Sequence, residues 1–173
     1  MVSVVFSVIF KSFRKFHETR PSGFVWADAS TTDRNQTIEL GKQAAEKGIV
    51  MLEGTMTGGM MALRNNKMVC LAGGSKTDFE VKVAKIFYLN FLKENKWFLA
   101  AAIGPVVVRC GEIGSAAIAK IASNMLAFLN MAGGVECMAL AKNAGLDLET
   151  FFDAIRASAG NSFAWETVMI RVF

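Results

Sequence analysis

At 173 residues the chain is long enough for one domain or one and a half, with a real core. Apolar residues make up 53% and charged residues 20%, which excludes a disordered or low-complexity chain. The net charge of +4 comes from scattered Lys and Arg, clustered only between Lys11 and Arg20, so no nucleic-acid surface is expected.

Three cysteines, Cys70, Cys110 and Cys137, form no CxxC and stand in apolar contexts, which predicts buried thiols in a reducing, cytoplasmic setting. A single histidine, His17, and unclustered carboxylates argue against a metal site and against a Ser-His-Asp hydrolase. The opening MVSVVFSVIF is apolar, but its basic residues follow it instead of preceding it, the reverse of a secretory signal. Ten residues are also too few to span a bilayer. A strand or helix remnant, and no membrane anchor, is the expectation.

In chain order, Phe24 to Asp28 reads as a buried strand stopping at ASTT. Thr32 or Asp33 can cap the helix RNQTIELGKQAAEKG, with Ile38, Leu40 and Ala44 apolar and Gly48 ending it. Ile49 to Leu52 is a second strand, running into EGTMTGG. A turn at Asn65 and Asn66 leads to MVCLAGG, a third strand.

Ser75, Thr77 and Asp78 open a helical stretch through Lys96. Ile103 to Cys110 is a fourth strand that Pro105 assigns to an edge or to a late start. The alternation predicts an α/β fold, half of a doubly wound sheet, over residues 1–112. From Gly114 only helices are expected, forming a partial all-α domain over 113–173.

The first of these helices, over 114–143, has Ile121, Met125, Leu129, Ala132, Glu136, Cys137 and Leu140 at spacings of three and four. At 1.5 Å per residue it reaches roughly 45 Å, long enough to join two bodies. Gly145 ends it, Asp147 caps the next helix, and Leu148, Phe151, Phe152 and Ile155 give that helix one apolar face.

In parallel α/β sheets ligands bind beyond the carboxyl ends of the strands. There this chain has Ser30, Thr31 and Thr32, then Thr55, Thr57, Gly58 and Gly59, then Gly73 and Gly74. Glycines at such ends let backbone N–H groups approach an anion. On the long helix, Lys120 and Asn124 stand four apart, which puts an ammonium and a carboxamide on one face.

DASTT, EGTMTGG, LAGG, GEIGSAAIAKIASN and ECMALAKNAGLD, in that order, resemble the β-hydroxyacid dehydrogenase family, which includes 3-hydroxyisobutyrate dehydrogenase and tartronate semialdehyde reductase. The similarity runs from about Asp28 to Ser162. The resemblance implies a Rossmann domain, a long interdomain helix and a helical domain. It also implies hydride transfer between NAD or NADP and a small β-hydroxyacid or its semialdehyde.

By position, Lys120 corresponds to the catalytic lysine and Asn124 to the amide that orients the substrate. Thr57, Gly58 and Gly59 correspond to a Ser-Gly-Gly that holds the substrate carboxylate, and Thr31 to a neighbour of the nicotinamide. A lysine suits this chemistry, because the alkoxide left by hydride transfer needs a proton and the reverse reaction needs one removed. An amide hydrogen-bonds without competing for that proton.

The chain departs from the family in several places. It has no GxGxxG, only 27 residues precede Asp28, and it stops soon after SAGNS, so both ends read as cut. Glu53 and Gly54 replace Asp and Ala, Ala116 replaces a glycine, and Phe87 to Ala102 is an added apolar stretch.

Two readings follow. One is an enzyme fragment, weakly active or inactive alone. The other is a non-catalytic helical assembly module derived from such an enzyme. Family resemblance implies a homo-oligomer formed through the helical domain in either case.

Overall fold

The computed structural model describes residues 4–7, 25–80 and 106–169. Five strands form one sheet in the order β1-β2-β3-β4-β5. They are β1 (Val4–Ser7), β2 (Val25–Asp28), β3 (Val50–Thr57), β4 (Val69–Gly73) and β5 (Val106–Gly111). Strands β1, β2 and β3 run parallel, β4 turns antiparallel to β3, and β5 runs parallel to β4. The chain divides into two compact units, 1–121 and 122–173.

The opening apolar run therefore contributes a strand, β1, paired in register with β2. Helix α1 (Arg34–Glu46) makes the crossover from β2 to β3. Asp33 starts it by accepting from the amides of Asn35 and Gln36 at 2.9 and 3.0 Å. Gly48, at φ 65°, provides the left-handed turn that follows. Its inner face, Leu40 and Ala44, packs with Trp26, Ile49 and Met51, and Ile113 leans on the same cluster.

The sheet is mixed, not the uniformly parallel half of a doubly wound sheet. The physical reason is the connection after β3. Only residues 58–68 are available, filled by the short helix α2 (Gly59–Arg64) and a turn with Asn66 at φ 53°. A parallel crossover needs about a dozen residues or more, so this connection returns the chain antiparallel. One consequence is that β4 ends at Gly73 level with Glu53 and with Asp28 at the end of β2, four pairs back from Thr57 at the end of β3.

Strand β3 is also longer than its apolar core suggests. It continues through Glu53, Gly54 and Thr55 to Thr57, because β4 pairs with it from Glu53↔Gly73 to Thr57↔Val69. Strand β5 starts at Val106 and forms the other edge of the sheet, where Val106 and Val108 remain exposed. Ser75 caps a single turn, α3 (Lys76–Asp78). The remainder of the helix expected there, and the apolar stretch 87–102, lie outside the described residues.

Helix α4 (Ser115–Asn143) is continuous, as its proline-free sequence predicts. The stripe used to recognise it is exposed: Met125, Leu129 and Leu140 are 58, 60 and 70% accessible. The buried positions are instead Ala116 and Ala117 at its start and Gly134, Met138 and Ala141 further along. The helix is apolar on nearly every face, so spacing identifies a helix without selecting its inner side.

In the second unit, Met138 packs with Phe152 of α5 (Leu148–Arg156), Trp165 of α6 (Phe163–Val168) and Met169. Leu148, Phe151 and Ile155 lean on this cluster as their spacing predicts. Asp147 caps α5 by accepting from Thr150 N at 2.8 Å. Gly145, at φ 75°, closes α4.

By length and composition alone α4 could cross a membrane, with a mean hydropathy of 1.2. It carries Lys120 and Asn124, however, and its first residues are bonded to a buried carboxylate of the sheet.

The thiols do not all fit the expectation of burial. Cys70 is buried, Cys110 is half-buried and Cys137 is exposed. Cys137 precedes the buried Met138 by one residue, a rotation of 100° about the helix, which turns it outward.

Candidate functional site

The carboxyl end of β2 is built around Asp28, a carboxylate only 6% exposed. Ser30 satisfies it, donating from its backbone N at 3.1 Å and from its hydroxyl at 2.8 Å to each carboxylate oxygen. Thr37 donates to Asp33 O at 3.0 Å, so the 2.8 Å contact between the Thr32 and Thr37 hydroxyls has Thr32 as donor. Ser30 and Thr32 are thus committed to the loop, and Thr31 between them is exposed.

Thr57 is the last residue of β3. Side chains alternate along a strand, so Thr57, Thr55 and Glu53 point to one face of the sheet. Gly58 follows at φ 126°, and a Cβ on it would lie 2.6 Å from Ala62 Cβ. Both facts restrict the position to glycine. Gly59, at φ 69°, faces open space.

Lys120 is half-buried in the second turn of α4, and Asn124 is half-buried one turn further on. Partial burial of the Lys120 ammonium lowers its pKa below 10.5. That direction suits proton transfer, because a lysine close to its neutral form exchanges a proton more readily.

The start of α4 rests on Glu53, which is 3% exposed. Its carboxylate accepts from Gly114 N at 2.6 Å, Ala117 N at 3.0 Å and Ala116 N at 3.3 Å. Burial raises the Glu53 pKa above 4.5, these three amides oppose that rise, and the neighbouring Asp28 charge adds to it. An anion at a helix N-terminus contributes up to about 2 kcal/mol in partly buried geometry.

Glycine is required opposite this carboxylate, because a Cβ on Gly73 would fall on Glu53 Oε2. Arg109 closes the neighbouring loop, donating to Gly74 O at 2.9 Å and pairing with Glu112 at 2.7 Å.

In the first unit Thr31 follows the carboxyl end of β2, and the Thr57–Gly59 turn follows that of β3, which runs on past the last β2 pair at Asp28↔Glu53. Lys120 follows a helix start bonded to the face of β3 that Thr57 shares. Asn124 lies on the same helix as Lys120 but belongs to the second unit. Sequence reasoning noted Glu53 only as a replacement for the family's Asp and gave it no role. The available signal was a charged residue interrupting the apolar run IVML, since Glu is rarely buried unless it is paired.

Among the described residues, the start of α1 does not offer a phosphate site. Asp33 occupies the first amides of α1 with its own carboxylate, so that helix start repels a phosphate instead of cradling one. Thr31, exposed beside it, fits an uncharged hydrogen-bonding group.

Residues 3–89 match the family described as NAD binding domain of 6-phosphogluconate dehydrogenase. Residues 114–173 match NAD-binding of NADP-dependent 3-hydroxyisobutyrate dehydrogenase. The mitochondrial 3-hydroxyisobutyrate dehydrogenase of Rattus norvegicus is 28% identical over 145 residues, covering 84% of this chain and 39% of that protein. L-threonate dehydrogenase of Haemophilus influenzae is 32% identical over 144 residues, covering 83% and 44%.

The Mycobacterium tuberculosis 3-hydroxyisobutyrate dehydrogenase structure superposes with a TM-score of 0.75 at 21% identity, over 95% of this chain and 54% of that one. The chain therefore spans less than half the length of these two sequence relatives. The two family matches, spanning both the sheet and the helices, show that the chain belongs to the β-hydroxyacid dehydrogenase family of NAD(P)-binding oxidoreductases, with 3-hydroxyisobutyrate dehydrogenase among its members.

Proposed function

We propose that this chain carries the substrate-side part of an NAD(P)-dependent dehydrogenase acting on a small 3-hydroxy acid or its semialdehyde. The observation that carries this reading is Lys120, half-buried with a lowered pKa on the helix that begins on β3. When bound, the nicotinamide cofactor supplies or accepts the hydride. Lys120 holds the proton that the substrate oxygen gains or loses. Asn124 donates a hydrogen bond that orients the same oxygen without titrating.

The Thr57 hydroxyl and the backbone at Gly58 and Gly59 bind the substrate carboxylate, because Gly59 leaves its surroundings open. Thr31 lies beside the nicotinamide end of the cofactor. The cytoplasm is the compartment proposed.

Assayed with NAD and NADP against a panel of 3-hydroxy acids, the chain is expected to show weak turnover. Lys120→Ala should lower kcat by about 10²–10⁴-fold, the usual weight of general acid-base catalysis. A Lys120→Ala variant as active as the parent overturns the assignment.

A second reading is favoured by one observation, the exposed apolar residues Met125, Leu126, Phe128 and Leu129 on α4. In it the chain is an assembly module without turnover, self-associating through its helices. A chain that forms oligomers and shows no change in NADH or NADPH fluorescence on titration supports this second reading over the first.

A further inference from the structure

The first turn of a helix has amide donors with no acceptor inside the helix. In α4 the accounting is nearly complete. Ser115 N donates to Glu112 O at 3.0 Å, and the amides of Gly114, Ala116 and Ala117 all go to the single carboxylate of Glu53. That carboxylate is fixed from the other side as well. Glu53 sits in β3, the central strand, paired to Asp28 of β2 on one side and to Gly73 of β4 on the other.

Space for the carboxylate exists only because Gly73 has no side chain. Entry into the helix is equally constrained. Gly114 has φ 94°, and a Cβ there would crowd Ile38 and Arg34 of α1 at 2.9 and 3.1 Å. Lys120 follows Ala116 by four residues and Ala117 by three, so it lies on the helix face that these two buried alanines turn to the protein.

A rotation or slide of the helix start would carry Lys120 with it. We propose that Glu53 is a positioning residue for Lys120, clamping the helix start to the central strand so that the ammonium is presented at a fixed place and depth. The inference rests on the proposed role of Lys120, and it adds the group that acts through it.

Backbone NMR of the full chain tests the clamp without turnover. The amides of Gly114, Ala116 and Ala117 should be protected from exchange in the parent, with the Gly114 proton far downfield. In Glu53→Gln that proton should move upfield, and the three amides should exchange at least tenfold faster. A parent in which these amides exchange freely overturns the clamp, whether or not the variant folds.

Steady-state kinetics tests the positioning. Glu53→Gln should lower kcat at least tenfold while NAD(P)H affinity stays within about twofold, and Glu53→Asp, which keeps the charge but shortens the reach, should fall between. Loss of kcat through unfolding alone would scale with the folded fraction and leave the value per folded molecule unchanged, which would overturn positioning. So would a folded Glu53→Gln with loosened amides and undiminished kcat. A parent without turnover defeats the function of Lys120, and the amide measurements still decide the clamp.

Discussion

The two units of this chain bury different kinds of residue. In the sheet-containing unit the buried set includes Asp28, Thr37, Glu53 and Thr55 beside the apolar cluster around Trp26. In the helical unit the core is Met138, Phe152, Trp165 and Met169, where the Trp165 indole N–H donates to Phe152 O at 3.1 Å.

Buried carboxylates are expensive to hold and are kept where their partners are fixed in place. The contrast therefore marks the sheet side as the part whose backbone is held by fixed polar partners. The helical side is held chiefly by packing.

The sharpest way to break that contrast is at Trp165. It stacks on Phe152 at 5.7 Å with rings 13° apart and meets Phe151 edge-on at 6.0 Å. Trp165→Ala should cost about 3–5 kcal/mol, as large-to-small changes in packed cores do. Thermal or urea unfolding measures it. A loss below 1 kcal/mol would mean that this unit has no specifically packed core.

On the sheet side, the strained turn gives the next largest effect. Gly58→Ala must adopt φ 126° and displace Ala62, so about 1–3 kcal/mol of strain is expected. Gly59→Ala meets no neighbouring atom and should cost less, through its φ alone. Equal unfolding midpoints for the two variants would contradict the crowding at Gly58. Smaller again is Asp33→Ala, which removes the cap of α1 and should cost about 1 kcal/mol in the same measurement.

How far the sequence reached differs between these regions for physical reasons. Caps and left-handed glycines are local, so Asp33, Gly48, Asp147 and Gly145 delimit their helices from sequence alone. Strand direction is not local. Nothing in MVCLAGG states that β4 runs antiparallel, and only the short 58–68 connection carries that information.

The end of β3 was obscured because Glu53 and Gly54 resemble a loop once the strand's apolar residues stop. Lys120, Asn124, Thr57 and Thr31 were singled out through a family likeness, with spacing contributing only the shared face of Lys120 and Asn124. The likeness marked Glu53 as standing in for Asp but gave it no role, because its partners lie more than sixty residues away at the start of α4.

The subtlest prediction concerns the cost of holding Lys120 where it is. Its folded pKa lies below 10.5 because partial burial disfavours the ammonium. Between that folded value and 10.5 the unfolded chain binds a proton that the folded chain has released, so stability rises with pH through this window.

Below the folded value both states are protonated and the burial penalty is fully present. Lys120→Met keeps the apolar stem and removes the charge, so the variant should be the more stable of the two at pH 7. Its advantage should shrink as pH rises through this window and be lost only above 10.5, where the lysine is neutral in both states. Unfolding curves at pH 7 and pH 11 measure the difference. An advantage of the same size at both would show that packing, not charge, separates the two side chains, and would remove the electrostatic reason for placing a proton-transferring lysine on this helix.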